Sequence, residues 1–272
     1  MDTKTPFFSI CIPTYEMKGL GASYLRTTFE NFASQSFTDF EVVVSDHSKD
    51  ESIKELCLEY VNSFKLKYIK NNINRGSSSA NINHAIKNAT GLWIKVLFQD
   101  DYLLGTKALE IIHDEISRSE GAWLIGACQH TNDGVNLFDS HFPSFHPDIH
   151  LGENTIGAPS NIAFKNEGSI FFDNNLIWLM DCEFYKRLEL KFGAPIVFSH
   201  ICIVNRVGAH QVTHTLIHDD LVRNELRYVK NKYKIYEYLK SIYLGKLFLI
   251  SSMDHVTISL MKFKDRLRIF FS

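Results

Sequence analysis

Residues Ile94–Gly105 read "IKVLFQDDYLLG", an apolar run broken by Asp100 and Asp101 and then resumed. The first half reads as a buried strand. Two adjacent carboxylates at its end repel each other and are costly to desolvate. Either they are solvated and cap a helix starting near Gly105, or a positive group sits between them and a ligand. What surrounds the strand decides between these.

Upstream, the chain alternates. Phe7–Ile12 is a short β-branched run ended by Pro13, a buried strand. A helix over residues 21–34 places Leu25, Phe29 and Phe32 on one face. "FEVVVSD" (Phe40–Asp46) is a second strand, residues 51–64 a helix, and "LKYIK" (Leu66–Lys70) a third strand. Residues 80–89 form another helix, and "LWIKVLF" (Leu92–Phe98) the fourth strand. Such alternation implies an α/β protein with right-handed crossovers and a mostly parallel, Rossmann-like central sheet flanked by helices. Ligands of such sheets sit at the carboxyl ends of the strands. Those ends carry Thr14-Tyr15-Glu16, Asp46-His47-Ser48, the segment Asn71–Gly76, and Gln99-Asp100-Asp101.

Downstream, a helix (Leu104–Arg118) and a strand (Trp123–Cys128) precede a loop-rich stretch over 129–168. Its histidines, His130, His141, His146 and His150, lack metal-site spacing and read as solvated or acceptor-contacting. A helix follows from Asp181, then two short strands in "PIVFSHICIVNRVG", then helical sequence from Asp219 onward. A chain of 272 residues, 45% hydrophobic and 22% charged, can bury a full core without staples. A net charge of −2 argues against a uniformly basic nucleic-acid surface. The five scattered cysteines read as core residues of a reducing compartment, and no signal peptide or membrane-spanning run is legible. The expected location is cytoplasmic.

Phosphate loops are absent: Gly19 and Gly21 are followed by Tyr24 where a third glycine belongs, and "RGSSSANIN" lacks the Walker lysine. A bound phosphate would therefore need a metal as neutraliser, which is the role a carboxylate pair can fill. Asp46 on its own reads equally well as a turn residue.

Taken together, "SICIPTYE", "FEVVVSDHSKDES", "NINRGSSSANINHAI", "ATGLWIKVLFQDDYL" and "WLMDCEFYKRL" resemble, in order and spacing, the family 2 inverting glycosyltransferases of the GT-A fold. The resemblance spans about residues 7–215 and is strongest to bacterial enzymes that build O-antigen (lipopolysaccharide) or capsule repeat units. It implies a GT-A domain over residues 1–215 and a basic helical C-terminal extension over 216–272. It makes Pro13, Thr14 and Tyr15 the wall of a nucleotide-base pocket, with Glu16 beside them. It makes Asp46 an acceptor for the base and brings Asn74 and Gly76 close to the nucleotide. Asp100 would face the ribose or sugar, Asp101 would bind Mn²⁺ or Mg²⁺, and Asp181 would be the catalytic base. His210 is a further candidate at the diphosphate or metal. Departures are Glu16 for the usual Asn, Asp46-His47-Ser48 for Asp-Gly-Ser, and Met180 for the usual Glu; Asn81 and Asn83 lie where relatives often carry Arg.

The chemistry agrees. Transfer with inversion needs one carboxylate to take the acceptor proton and a cation to stabilise the departing diphosphate. Asp181 and Asp101 offer one carboxylate for each task, with Glu183 as the fallback base; Asp181 alone could equally be a helix N-cap. The implied reaction is that of a hexosyltransferase, moving a sugar from a nucleotide-sugar, expected to be a UDP-sugar, to a saccharide acceptor on a polyprenyl diphosphate. A nucleotidyltransferase, or a sugar-nucleotide-binding module without catalysis, are the competing readings. From Lys230 to Ser272 nine Lys or Arg face Glu237, Asp254 and Asp265, and the end "MKFKDRLRIFF" reads either as a peripheral membrane element or as a helix packed on the domain.

Overall fold

The computed structural model describes residues 4–208 and 217–251. In chain order it contains β1 (Phe8–Thr14), α1 (Gly21–Ala33), β2 (Phe40–Asp46), α2 (Ser52–Tyr60), β3 (Lys65–Lys70), α3 (Ser78–Lys87) and β4 (Trp93–Val96). There follow β5 (Tyr102–Leu103), α4 (Ala108–Ser117), β6 (Trp123–Thr131), β7 (Leu137–His141), β8 (Ile162–Lys165), α5 (Met180–Phe192), β9 (Ile196–Arg206) and α6 (Asp219–Ser251). One nine-stranded sheet runs β3-β2-β1-β4-β8-β6-β9-β5, with β7 paired to β6.

The first four strands are parallel, and β1 sits between β2 and β4. The register Thr14↔Asp46 brings the carboxyl ends of β1 and β2 level. β8 then enters antiparallel between β4 and β6, and β9 runs parallel to β6. The longer ladders are the parallel ones.

Alternation along the strands feeds two cores. Phe8, Ile10, Ile12, Val42 and Val44 face one way, onto Leu25 and Phe29 of α1, Ile53 and Leu56 of α2, and Leu109 and Ile112 of α4. Cys11, Val43, Ile94 and Val96 face the other, onto Ile82 and Ile86 of α3, Phe184 and Leu188 of α5, and Val229 and Tyr233 of α6. Burial on both faces is why these strands read as unbroken apolar runs. All five cysteines are free and buried.

Three expectations change. Asp100 and Asp101 cap no helix: Tyr102 and Leu103 pair antiparallel with Val204 and Ile203, and α4 begins only at Ala108. The two short strands expected in 195–208 are one eleven-residue strand, β9, whose pairing with β6 slips between Gly126↔Phe198 and Ala127↔Ile201. That bulge absorbs the extra residues and breaks the period that a single strand would show. The loop-rich stretch also holds strand: β6 continues to Thr131, and β7 and β8 follow. β7 is exposed along most of its length, so it carries no buried face to read from sequence. The first part of α6 packs on the domain through Val229, Tyr233 and Tyr236. The segment 252–272, on which the aromatic basic end falls, lies outside the described residues. Among those described, no helix is long and apolar enough to cross a membrane.

Candidate active site

A cavity of about 510 Å³ opens at the carboxyl ends of β1 and β4, between the N-termini of α3 and α5. Pro13, Tyr15, Gly76, Asp100, Asp101 and Asp181 all line it, so residues from four separated motifs share one space. Thr14, Glu16, Asp46 and Asn74 stand behind or beside that wall. His210 lies outside the described residues.

At one end, the Tyr15 ring is 43% exposed, while its backbone N–H donates to Gln99 Oε1 at 2.9 Å. That bond ties the end of β1 to the residue preceding the aspartate pair. Gly21 makes the arrangement fit, since a Cβ there would lie 2.2 Å from the Tyr15 carbonyl oxygen and 2.6 Å from Gln99 Nε2. Burial, then the charges of Asp100 and Glu16, raise the Tyr15 phenol above its ordinary pKa. Gly76 occupies left-handed space (φ 93°) in the turn before α3, and Asn74 does so at φ 52°. Ser77 caps α3 by accepting the Ala80 N–H.

Asp46 is fully buried. Its carboxylate accepts from Ser48 N at 2.8 Å, Tyr68 OH at 2.8 Å, Lys70 Nζ at 3.2 Å and Thr14 Oγ1 at 3.3 Å. These bonds knit β1, β2 and β3 together just below the site. Glu16 accepts the Lys49 N–H at 3.2 Å and bridges the same loops.

Asp101 is 4% exposed. It accepts from the Arg206 N–H and from Asn205 Nδ2, each at 2.9 Å, which fixes both oxygens against the end of β9. Burial, and then the neighbouring charge of Asp100, push its carboxyl up to about 7. Below it, the buried Lys95 ammonium donates to Val96 O at 2.7 Å and to Ser160 O, and burial lowers its pKa to about 7. A divalent cation fits this donor set. Magnesium-type sites use one or two carboxylates and complete their shell with substrate phosphates and water. Two adjacent carboxylates face a cavity large enough for a nucleotide, and a cation there would offset the repulsion that raises Asp101. Among the described residues no cluster of three or more ligating side chains makes a self-sufficient cage.

Across the cavity, Asp181 is the second residue of α5, behind the N-cap Leu179, so it does not cap the helix. It is half-buried, and burial alone pushes its carboxyl up to about 7. Among the described residues no side chain donates to it, which leaves its oxygens for a ligand. Glu183 is excluded as a substitute base. It is fully buried on the far side of α5, held by Arg187 at 2.9 Å, Lys232 at 2.8 Å and Tyr233 OH at 2.8 Å. His150, expected to be solvated or acceptor-contacting, is 1% exposed with its ring 4.8 Å from that of Tyr233.

Gln99, placed at a strand end by the sequence, also lines the cavity, and so do Asn205, Arg206, Pro159 and Trp178, which the sequence did not single out. Arg206 stacks its guanidinium over Tyr24 at 4.4 Å. Its only sequence signal was a charge at the end of an apolar strand.

The family described as "Glycosyl transferase family 2" matches residues 9–212, and the chain belongs to that family. An uncharacterized glycosyltransferase of Rickettsia typhi is 28% identical over 265 residues, covering 90% of this chain and 74% of its own length. The UDP-Glc:alpha-D-GlcNAc-diphosphoundecaprenol beta-1,3-glucosyltransferase of Escherichia coli is 30% identical over 105 residues, 39% of each chain. The crystal structure of Staphylococcus aureus TarS residues 1–349 with UDP-GlcNAc superposes with TM-score 0.66 at 19% identity, covering 97% of this chain and 71% of that one. The protein is a glycosyltransferase with the GT-A fold.

Proposed function

We propose that the chain transfers a sugar, with inversion, from a UDP-sugar to a saccharide carried on a polyprenyl diphosphate during surface-polysaccharide assembly. The observation that carries this is the placement of Asp181, a carboxylate without a protein donor among the described residues, across one cavity from Asp100 and Asp101. The nucleotide would lie along Pro13, Tyr15 and Gly76, with its base against the exposed Tyr15 ring. Asp46 and Glu16 would support that wall from behind, and a base bond to Asp46 would displace one of the donors now on it. The acceptor hydroxyl gives its proton to Asp181 as its oxygen attacks the anomeric carbon. The bond from that carbon to the diphosphate breaks, and the nucleoside diphosphate leaves on the opposite face. Asp101 would hold Mn²⁺ or Mg²⁺, which supplies positive charge to the departing diphosphate, with Asp100 toward the ribose or sugar. His210 is a candidate for the same diphosphate. The lipid-linked acceptor and the UDP-sugar are favoured by the Escherichia coli enzyme, a UDP-Glc:alpha-D-GlcNAc-diphosphoundecaprenol glucosyltransferase, and by the Staphylococcus aureus structure with UDP-GlcNAc. In this reading the enzyme would work at the inner face of a membrane, and the proposed catalytic unit is residues 1–215 with 216–272 as its extension.

Calorimetric titration of UDP, dTDP, GDP and CMP, with and without Mn²⁺, tests the reading on wild type and Asp101→Ala. Metal-dependent binding of UDP, lost in Asp101→Ala, is the expected result. If folded wild type binds none of the four, the donor site is misassigned. Binding of a different diphosphate would keep the transferase reading and change the donor.

A further inference from the structure

Asp181 can serve as a base only if the first turn of α5 is held at the cavity wall, and that turn has no cap of its own. Its N-cap is Leu179, whose side chain accepts nothing, and the preceding segment is an irregular bend. Backbone N–H groups at such a place need outside acceptors. They find one on α6. The Glu225 carboxylate accepts from Ile177 N at 2.7 Å, from Trp178 N at 3.0 Å and from Leu179 N at 2.8 Å. Glu225 is 4% exposed, so this charge is buried and is satisfied by three consecutive amides. Ile177, Trp178, Met180 and Asp181 all line the cavity, so the clamped backbone is itself cavity wall. A second set of ties lies farther from the cavity, where Lys232 bridges Asp173 and Glu183 and Tyr233 OH donates to Glu183. Those contacts hold α6 against α5 without touching the wall.

We propose that Glu225 is a positioning residue: from α6 it fixes the Ile177–Leu179 backbone and so sets where Asp181 and Trp178 stand toward the acceptor. The inference rests on Asp181 being the base. It makes the extension part of the catalytic apparatus, acting through a backbone clamp and never touching substrate.

Glu225→Gln keeps the size of the side chain but replaces one accepting oxygen with a donor facing N–H groups. Amide hydrogen exchange reads the clamp directly. Exchange over residues 177–181 should speed up roughly tenfold in Glu225→Gln while the strands β1–β4 stay as protected as in wild type. Turnover, read as UDP release from UDP-glucose with a synthetic GlcNAc-diphosphoryl lipid, should fall roughly ten- to hundredfold. The calorimetric Kd for UDP with Mn²⁺ should stay within about twofold, since the donor wall is on other elements. Tyr233→Phe is the control. It should lower Tm yet leave both exchange at 177–181 and kcat near wild type. Unchanged exchange at 177–181 in Glu225→Gln overturns the clamp. Changed exchange with full turnover overturns its catalytic role. If Asp181→Asn still turns over, the base assignment fails instead, and the exchange result reports the clamp on its own.

Discussion

Asp181 and Asp101 are both pushed up to about 7, and the reasons differ in what they predict. Asp181 is raised by burial alone, so its proton should appear in kinetics as a single acidic limb. The base works only when deprotonated, so kcat/KM should rise with pH and level off above a pKa near 7. Asp181→Asn should lower turnover by about 10²- to 10⁴-fold, with UDP affinity changed by no more than a few-fold. The same carboxyl affects stability with a definite sign. Its folded pKa lies above the ordinary 3.8, so the folded state keeps the proton that the unfolded chain loses. The stability it contributes is complete below pH 4 and is lost as pH climbs through about 7, above which both states are deprotonated. Asp181→Asn should therefore melt roughly 2–4 °C above wild type at pH 8 and show no such gain at the acid end. Equal melting temperatures at pH 8 would argue that the carboxylate is better solvated than its place in the cavity wall implies. Tyr15→Ala should weaken UDP binding by about 1 kcal/mol or more, the loss of one stacking face, as read by titration.

The elements differ in how openly they announce themselves. β1, β2 and β4 are buried on both faces, and a run such as "FEVVVSD" has no other stable setting. β3 alternates between exposed and half-buried positions and is equally plain. β5 and β7 were not legible, the first because two residues make no period, the second because its side chains are mostly in solvent. The loop from β1 to α1 depends on a contact that no local pattern encodes, the approach of Gly21 to the Tyr15 carbonyl at the mouth of the site. Gly21→Ala should cost roughly 1–3 kcal/mol because backbone must move to admit the methyl group. It should also weaken UDP binding, since Tyr15 moves with its carbonyl. A lowered Tm with unaltered UDP affinity would detach this turn from the nucleotide.

For the molecule as a whole, α6 is the element whose role shifted most. Its sequence is basic and could lie on a membrane or on the domain, and in the structure Val229, Tyr233 and Tyr236 enter the core beside α5. Exposed Ile235 and Tyr238, with Lys234 beside them, leave an outer face open. Docking of the first turns on the protein and contact of the outer face with lipid are compatible. Full-length protein should sediment with vesicles rich in anionic lipid at low salt and be released near 0.5 M salt, a level at which the screening length is only ~4 Å. Sedimentation that ignores salt would point to apolar insertion in place of charge attraction.

The sequence by itself determined the α/β class, the four parallel strands and the fact that Tyr15, Asp100 and Asp101 would meet at strand ends. Period and burial leave a trace in local composition, and parallel topology puts the carboxyl ends side by side. Only the tertiary structure decided which acidic residues are free to act. Asp181 and Glu183 are two positions apart on one helix, and nothing local separates them. The packing of α6 does: it buries Glu183 among Arg187, Lys232 and Tyr233 and leaves Asp181 turned to the cavity. Asp46 likewise reads as a turn residue or a ligand contact, and only the pairing of β2 with β3 shows Tyr68 and Lys70 holding it. A carboxylate's role is fixed by the charges and donors around it, and those arrive from elsewhere in the chain.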